Sequence, residues 1–224
     1  RTLMPDGRRR AHSSRLAARL RLMVLTVRAP ACGRSLVTVV AECLDAGATS
    51  IQLRDKDATA RELYEIALKL IPEVRARDAL LIVNDRFDVA LAAGADGVHL
   101  GPEDLPVREV RARVPDGFVI GVSVDDPSSG REAAESGADY LGVGAVFGTT
   151  SKPGLEFESI GPERVAEVLE AADLPGVGIG GITPENVARV ARVGAGVAVL
   201  GAVMHAEDPA RAVLDLVRAI EVES

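Results

Sequence analysis

The chain has 224 residues, of which 47% are hydrophobic and 3% aromatic, and a formal net charge of −7. The negative charge, and the lack of basic residues interleaved with aromatic ones, argue against nucleic-acid binding, and no apolar run approaches the roughly 20 residues of a membrane span. Cys32 and Cys43 fit neither a C-x-x-C pair nor a disulfide framework, so we expect buried reduced thiols in a cytoplasmic protein.

The first twenty residues are rich in arginine and lack the uninterrupted apolar core of a signal peptide. We expect residues 1–20 to form a flexible or partly helical extension of a domain that spans residues 21–224. Because the sequence begins with Arg1 rather than methionine, we do not expect Arg1 to be the natural start of the chain.

Short apolar strands alternate with helices along the remainder of the chain. The strands are predicted at residues 22–27, 50–54, 80–84, 97–100, 119–123, 140–144, 176–180 and 197–200. The helices are predicted at residues 35–46, 106–114, 127–136 and 162–172, with others starting near Thr59, Asp85, Thr183 and Asp208. Strands this short and apolar are typical of a parallel sheet that is covered on both faces.

A glycine-containing phrase, G-A followed in most copies by Asp or Thr, recurs before the strands at residues 46–49, 94–96, 137–139 and 194–196. Each copy is typical of a helix stop followed by a tight turn. Eight strand–helix units in about 200 residues predict a single-domain α/β fold, the (β/α)8 TIM-type barrel. An open doubly wound sheet is the alternative, because the same alternation suits it.

The second strand ends in a polar group. Alternation along a strand places Gln52, Arg54 and Lys56 on one side and Leu53 on the other. Arginine offers a planar fork of donors and lysine a mobile point charge, so this strand end is typical of a phosphate clamp. A solvated charged loop is the alternative, although it does not explain an amide inside an apolar strand.

Two acids follow the third and fourth strands. Asp85 comes directly after Asn84 at one strand end, and Asp104 lies in the exit loop of the next strand. If the strands are parallel neighbours, both carboxylates lie on the same rim, where they repel unless a cation or a proton lies between them. Mg²⁺ bound to a phosphate group is the predicted occupant, and two helix N-caps are the alternative.

Further phosphate-binding candidates lie at the later strand ends. Ser123 ends the fifth strand, and the sixth is followed by a loop with hydroxyl and lysine donors, Thr149, Thr150, Ser151 and Lys152. The seventh strand matches G-x-G-x-x-G, but too late in the chain for a dinucleotide-binding unit. We expect instead that the amides of Gly180 and Gly181 hold a monophosphate beside a helix N-terminus, with Leu200 and Gly201 closing the pocket.

The three histidines, His12, His99 and His205, show no metal-binding spacing. His99 lies inside the fourth strand, where a structural hydrogen-bonded role is favoured over a catalytic one. Two phosphate sites without an obvious nucleophile suit a transferase whose leaving group is pyrophosphate. Mg²⁺, Arg54, Lys56 and Lys152 would neutralise the charge of the departing group.

The motifs Q-L-R-D-K, V-N-D-R-F-D-V-A, A-D-G-V-H-L-G-P-E-D-L-P, G-A-D-Y-L-G-V-G-A-V-F-G-T-T-S-K and I-G-G-I-T-P-E-N resemble those of the thiamine-phosphate synthase family. The resemblance covers about residues 21–221. It implies a TIM-type barrel enzyme that joins hydroxymethylpyrimidine diphosphate to a thiazole phosphate, giving thiamine phosphate and pyrophosphate. In that family the diphosphate ionises to a pyrimidinylmethyl cation, which the thiazole nitrogen captures.

The resemblance also implies site residues. The pyrimidine diphosphate would contact Gln52, Leu53, Arg54, Asp55, Lys56, Asn84, Ser123 and Lys152, with Arg54, Lys56, Ser123 and Lys152 as the catalytic members. The thiazole phosphate would contact Thr149, Thr150, Ser151, Gly181, Leu200 and Gly201. Asp85 and Asp104 would bind Mg²⁺. Ser151 stands where threonine is usual, and Gly201 where a hydroxyl residue often occurs.

Two other functions remain alternatives. The sister family of thiazole tautomerases shares the barrel but typically lacks the acid that Asp85 supplies. A non-catalytic barrel that binds only the thiazole phosphate needs neither the clamp nor the acids. The partners expected in every case are phosphorylated small molecules rather than nucleic acid or membrane, and the resemblance allows assembly into a homo-oligomer.

Overall fold

The computed structural model describes residues 6–148 and 159–222. Eight parallel strands pair in chain order and close into a barrel, β1 pairing with β8. The strands are β1 (Leu22–Leu25), β2 (Ser50–Leu53), β3 (Leu80–Asn84), β4 (Gly97–Leu100), β5 (Val119–Val124), β6 (Tyr140–Val143), β7 (Gly176–Ile179) and β8 (Gly196–Val199). The predicted TIM-type barrel is confirmed, and the open doubly wound sheet is excluded because the sheet has no free edge.

Ten helices surround the strands in the described part of the chain. They are α1 (Asp6–Arg19), α2 (Leu36–Asp45), α3 (Ala60–Arg75), α4 (Phe87–Ala93), α5 (Val107–Arg111), α6 (Pro127–Ser136), α7 (Gly161–Ala172), α8 (Val187–Ala191), α9 (Gly201–Met204) and α10 (Pro209–Glu221). The helix expected near Thr59 is α3, and Thr59 and Glu62 form a capping box at its start.

One predicted helix start is wrong. The helix expected from Thr183 begins only at Val187, because residues 183–186 form a turn in which the Thr183 amide donates to Asn186 Oδ1 at 2.9 Å. The side chain of Asn186 also donates to the carbonyl of Gly181 at 2.9 Å. A side chain that satisfies backbone groups in this way competes with the first helical turn.

Two apolar layers follow from the alternation of side chains along each strand. One layer, which includes Leu81 and Val83, packs between the barrel and the helices. The other fills the barrel interior with side chains from alternate positions, among them Met23, Ile82 and Tyr140. The interior is therefore a packed core rather than a channel.

Helix α1 closes the amino-terminal end of the barrel. Leu16 in α1 and Leu20 directly after it are almost fully buried, and both belong to the interior cluster. Arg19 donates to the carbonyls of Asp78 and Ala79, the two residues before β3, at 3.3 and 2.8 Å. The chain is thus helical from Asp6 to Arg19, and the last turn of this helix packs against the barrel.

The recurring glycine phrases act as predicted. The first glycine of each phrase has a positive φ angle. Gly94 and Gly137 are the C-caps of α4 and α6, and Gly47 and Gly194 lie one and two residues beyond the C-caps of α2 and α8. Two of the phrases also contribute a carboxylate to the barrel: Asp96 accepts from the Leu81 amide and Asp139 from the Ile120 amide, both at 2.8 Å. In both turns the carboxylate before one strand therefore holds the amide of a residue in the preceding strand.

Within residues 6–148 and 159–222, no helix is both long and apolar enough to cross a membrane.

We expect Leu20→Ala to lower the free energy of unfolding by about 2–5 kcal/mol, because it leaves a cavity in the end of the barrel core. Leu68→Ala is the matched control, since Leu68 lies on α3 with 45% of its surface exposed, and surface changes stay within about 0.5 kcal/mol. Urea unfolding followed by circular dichroism measures both. Equal losses would show that Leu20 does not pack into the core.

Candidate active site

The end of β2 presents an amide to the barrel interior. Gln52 is 3% exposed, and its Nε2 donates to Met23 Sδ at 3.4 Å. Leu53 is 1% exposed and belongs to the layer between the barrel and the helices. The predicted alternation is therefore present, and Leu53 can reach a ligand in the barrel mouth only through its backbone.

The backbone of Arg54 is fixed to β1. Thr26 Oγ1 accepts from the Arg54 amide at 3.0 Å and donates to the Arg54 carbonyl at 3.3 Å. Arg54 is half-buried and Lys56 is exposed. The two cations of the predicted clamp thus leave the barrel from an anchored strand end.

Asp55 has partners within the protein. Its Oδ2 accepts from Arg28 Nε at 2.7 Å and its Oδ1 from the Asp57 amide at 3.1 Å. The Asp55 side chain is only 6% exposed in this arrangement. Its carboxylate therefore holds the loop after β2 against Arg28. A direct contact between this carboxylate and a diphosphate is disfavoured, because it would break these contacts.

The two predicted metal ligands lie at the ends of adjacent strands. Asn84 pairs in register with His99 of β4, and the Asp85 amide donates to the His99 carbonyl at 2.8 Å. Asp85 has a φ of 63°, a left-handed conformation that is uncommon outside glycine and Asn or Asp. Asp104 Oδ2 accepts from the Gly101 amide at 2.6 Å, which holds the loop after β4.

The pKa of Asp85 shows that the acids and the clamp form one cluster. Burial raises this pKa to about 6, and the neighbouring Asp104 adds to the rise as a hydrogen-bond acceptor and as a negative charge. The charges of Lys56 and Arg54 act in the opposite direction. The structure thus brings both acids and both cations together at the carboxyl ends of β2, β3 and β4.

This donor set fits a hard divalent cation. Among the described residues, no group of three or more His, Cys, Asp or Glu is arranged to hold a metal ion. Mg²⁺ commonly binds one or two carboxylates and completes its shell with water and phosphate oxygens. A carboxylate whose proton affinity is raised by a neighbouring carboxylate marks a site where a cation relieves repulsion.

Ser123 and His99 are joined in the barrel mouth. His99 Nε2 lies 3.0 Å from Ser123 Oγ, and His99 Nδ1 lies 2.9 Å from the hydroxyl of Tyr140. Burial lowers the pKa of His99 to about 4, so the ring is neutral near pH 7. The predicted hydrogen-bonded role of His99 is present, whereas Tyr140 was not a predicted site residue, because one aromatic in an apolar strand is indistinguishable from core.

The ends of β6 and β7 meet at the opposite side of the mouth. The Phe147 amide donates to the Gly180 carbonyl at 3.1 Å. Gly181 is exposed with a φ of 63°, and a Cβ there would lie 2.4 Å from the Gly148 carbonyl oxygen. Only a glycine allows this close approach of the two loops.

Gly181 lies beside the start of α8, because Asn186, the N-cap of that helix, donates from Nδ2 to the Gly181 carbonyl at 2.9 Å. A second helix start lies at the end of β8, where Leu200 is the N-cap of α9, which begins at Gly201. The two positions that were expected to close the pocket, Leu200 and Gly201, are both half-buried.

Four predicted site residues, Thr149, Thr150, Ser151 and Lys152, lie outside the described residues. The described residues directly after this segment are anchored to the chain that follows β6. Ser159 Oγ donates to the Val146 carbonyl at 2.7 Å, and the Ile160 amide donates to the Ala145 carbonyl at 3.0 Å. Residues 159 and 160 are therefore held beside the end of β6.

A separate cavity of about 560 Å³ lies at the amino-terminal end of the barrel, between α1, α7 and the turn before β8. Its lining is mostly small and apolar, with Arg21 and Glu170 as its charged members. It lacks the paired acids and cations of the opposite end. We therefore place the candidate active site at the carboxyl ends of the strands, where barrels of this type carry their chemistry.

The family model described as thiamine monophosphate synthase matches residues 22–203. The thiamine-phosphate synthase of Natronomonas pharaonis is 48% identical over 191 residues, covering 84% of this chain and 89% of that protein. The thiamine-phosphate synthase of Haloarcula marismortui is 50% identical over 192 residues, covering 84% of this chain and 91% of that protein.

Among solved structures, the thiamine phosphate pyrophosphorylase from Pyrococcus furiosus is similar over 93% of this chain and 98% of its own, with 42% identity and a TM-score of 0.83. A 3-hexulose-6-phosphate synthase from Salmonella typhimurium, with 19% identity and a TM-score of 0.70, shares the fold. The first likeness extends to sequence, and the second concerns the barrel alone.

We expect Asp85→Asn to stabilise the metal-free protein at pH 8. The pKa of Asp85 is raised in the folded state, so its ionisation weakens folding. The cost is absent below the pKa of the unfolded chain and fully present above about pH 6. Asparagine also tolerates a positive φ. The gain in Tm, measured in EDTA, should therefore be larger at pH 8 than at pH 4.5.

Asp88→Asn is the control of opposite sign. A hydrogen bond from Arg86 lowers the pKa of Asp88, so its charge favours folding above its ordinary pKa and this variant should lose stability at pH 8. A loss of stability in Asp85→Asn at pH 8 would contradict the repulsion between Asp85 and Asp104.

Proposed function

The chain belongs to the thiamine monophosphate synthase family, and we propose that it makes thiamine phosphate from two phosphorylated precursors. The reaction condenses 4-amino-2-methyl-5-hydroxymethylpyrimidine diphosphate with 4-methyl-5-(2-phosphoethyl)thiazole and releases pyrophosphate. The observation that carries the proposal is the cluster of Asp85, Asp104, Arg54 and Lys56 in one barrel mouth. Such a cluster suits a diphosphate leaving group and has no use in binding a monophosphate alone.

The diphosphate is held from the β2, β3 and β5 side of the mouth in this proposal. Arg54 and Lys56 supply positive charge, and Gln52, Asn84 and Ser123 supply neutral hydrogen-bonding groups around it. Lys152 joins them from the segment after β6. Fixed donors and cations aimed at a departing anion stabilise the charge that develops as the carbon–oxygen bond breaks, without a protein nucleophile.

Asp85 and Asp104 are the residues that would hold Mg²⁺. Bound there, the ion would supply neutralisation of the charge on the departing diphosphate. The raised pKa of Asp85 supports the assignment, since these carboxylates are held together against their own repulsion. The protein's contribution is to keep that pair beside Arg54 and Lys56.

The acceptor is held from the β6, β7 and β8 side. Gly181, Leu200 and Gly201, together with Thr149, Thr150 and Ser151, are the proposed contacts of the thiazole phosphate. Anchoring a phosphate there would place the thiazole nitrogen toward the carbon that loses pyrophosphate. Holding two reactants in this way replaces an encounter in solution by a step within one complex.

The alternative functions are less well supported. A tautomerase or a thiazole-phosphate-binding barrel has no role for a diphosphate clamp with two acids. The cytoplasmic location and the assembly into a homo-oligomer stay predictions from the sequence and the family resemblance.

We expect Asp85→Asn to lower kcat for pyrophosphate release by about 10²–10³-fold, the size of effect seen when a group stabilising transition-state charge is lost. The measurement mixes both precursors with Mg²⁺ and follows thiamine phosphate and pyrophosphate. Asp88→Asn is the matched control, since Asp88 pairs with Arg86 outside the cluster, and it should retain wild-type turnover. Normal turnover by Asp85→Asn would reject the assignment of Asp85.

We expect EDTA to stop pyrophosphate release and excess Mg²⁺ to restore it, because the repelling carboxylates and the diphosphate both need a divalent cation. Supplying only the unaromatised tautomer of the thiazole separates the tautomerase, which would consume it without releasing pyrophosphate. Unchanged turnover in EDTA would show that Arg54 and Lys56 suffice without a metal.

A further inference from the structure

Three side chains from neighbouring strands form a continuous hydrogen-bonded chain from the barrel core to its mouth. The Tyr140 hydroxyl on β6 lies 2.9 Å from His99 Nδ1 on β4, and His99 Nε2 lies 3.0 Å from Ser123 Oγ on β5. Tyr140 is 0% exposed and His99 8%, whereas Ser123 is exposed. The chain thus links a buried phenol to a proposed substrate contact.

Two glycines make room for this chain. Gly121 pairs in register with both His99 and Tyr140, and a Cβ at Gly121 would lie 2.1 Å from Tyr140 Cζ. Gly142 pairs with Ser123, and a Cβ there would lie 2.8 Å from His99 Cε1. The rings occupy space that any other residue at these two positions would fill.

The two hydrogen bonds that link Tyr140, His99 and Ser123 have a preferred direction of donation. A neutral imidazole carries one N–H, so His99 donates either to Tyr140 or to Ser123. In the described part of the chain, His99 is the side chain that lies within hydrogen-bond distance of the Tyr140 hydroxyl, and Tyr140 packs in the barrel interior with the apolar side chains of Leu80, Ile82 and Val177. If His99 donated to Tyr140, the phenolic proton would lose its acceptor, and a buried donor without a partner is costly.

We propose that Tyr140 acts through His99 as a positioning residue that makes Ser123 a hydrogen-bond donor toward the barrel mouth. Tyr140 donates to Nδ1, Nε2–H donates to Ser123 Oγ, and the Ser123 hydroxyl proton is left for a ligand. The opposite direction would turn the lone pairs of Ser123 toward an anion. The identity of that ligand as a diphosphate rests on the proposed function, whereas the direction of the chain does not.

The tautomer of His99 tests the direction. The sequence has three histidines, so the variant His12→Gln/His205→Gln leaves His99 as the one imidazole in the full chain. Nitrogen-15 NMR of this protein near pH 7.5 should show Nδ1 as the unprotonated nitrogen and Nε2 as the protonated one. A protonated Nδ1, or an equal mixture of both tautomers, would overturn the proposal.

A double-mutant cycle tests the consequence for the ligand. Tyr140→Phe removes one oxygen and should raise KM for the pyrimidine diphosphate about fivefold, the loss of one oriented hydrogen bond. In a Ser123→Ala background the same change should leave KM unaltered, because the chain has no end group to orient. Tyr64→Phe, which removes the hydroxyl of the other tyrosine on α3, should leave KM at the wild-type value.

An equal rise in KM in both backgrounds would show that Tyr140 supports the barrel without orienting Ser123, which overturns the proposal. If Tyr140→Phe folds poorly, the tautomer in the His12→Gln/His205→Gln protein decides alone. A protein with the expected tautomer that makes no thiamine phosphate would remove the proposed function and keep the inference. Full activity in a protein with Nδ1 protonated would remove the inference and keep the proposed function.

Discussion

Closure of eight parallel strands into one ring is the constraint on which the site depends. Because each strand pairs with the next in chain order, residues that follow β2, β3 and β4 leave the barrel at the same rim. Two acids and two cations, separated by up to fifty residues in the sequence, thereby act on one another's charge. A slip of β3 by one residue against β4 would turn the side chains of β3 to the other face of the sheet and move Asp85 relative to Asp104.

The cluster is held together at a cost in stability. Asp85 combines a left-handed backbone, partial burial and a like charge nearby, three features that a structure selected only for folding would avoid. The rest of the barrel offsets that cost with ordinary means: two well-packed apolar layers, capped helices, and carboxylates such as Asp139 that tie one strand start to the next. The strained site is therefore maintained by the stability of the surrounding barrel.

Local patterns predicted the fold well, since short apolar strands and glycine stops carry their signal within a few residues. The position of two cations and two acids at one rim was predicted from the rule that parallel strands end at the same edge, and their binding of diphosphate and Mg²⁺ stays a prediction. What local patterns missed depends on distant partners. Asn186 holds residues 183–186 in a turn, so the helix after β7 begins at Val187 rather than at Thr183. Tyr140 is typical of a core residue in the sequence, because its hydrogen-bond partner His99 lies 41 positions away in the chain.

Leu16 and Leu20 close the amino-terminal end of the barrel, and this closure limits how ligands reach the site. With one end sealed and the interior filled by side chains such as Ile82 and Tyr140, molecules reach the rim residues from a single doorway. In the proposed reaction both precursors would enter, and both products depart, through that doorway. A precursor bound nearer the opening would then obstruct the binding of the other, and pyrophosphate would have to leave on the side from which it entered.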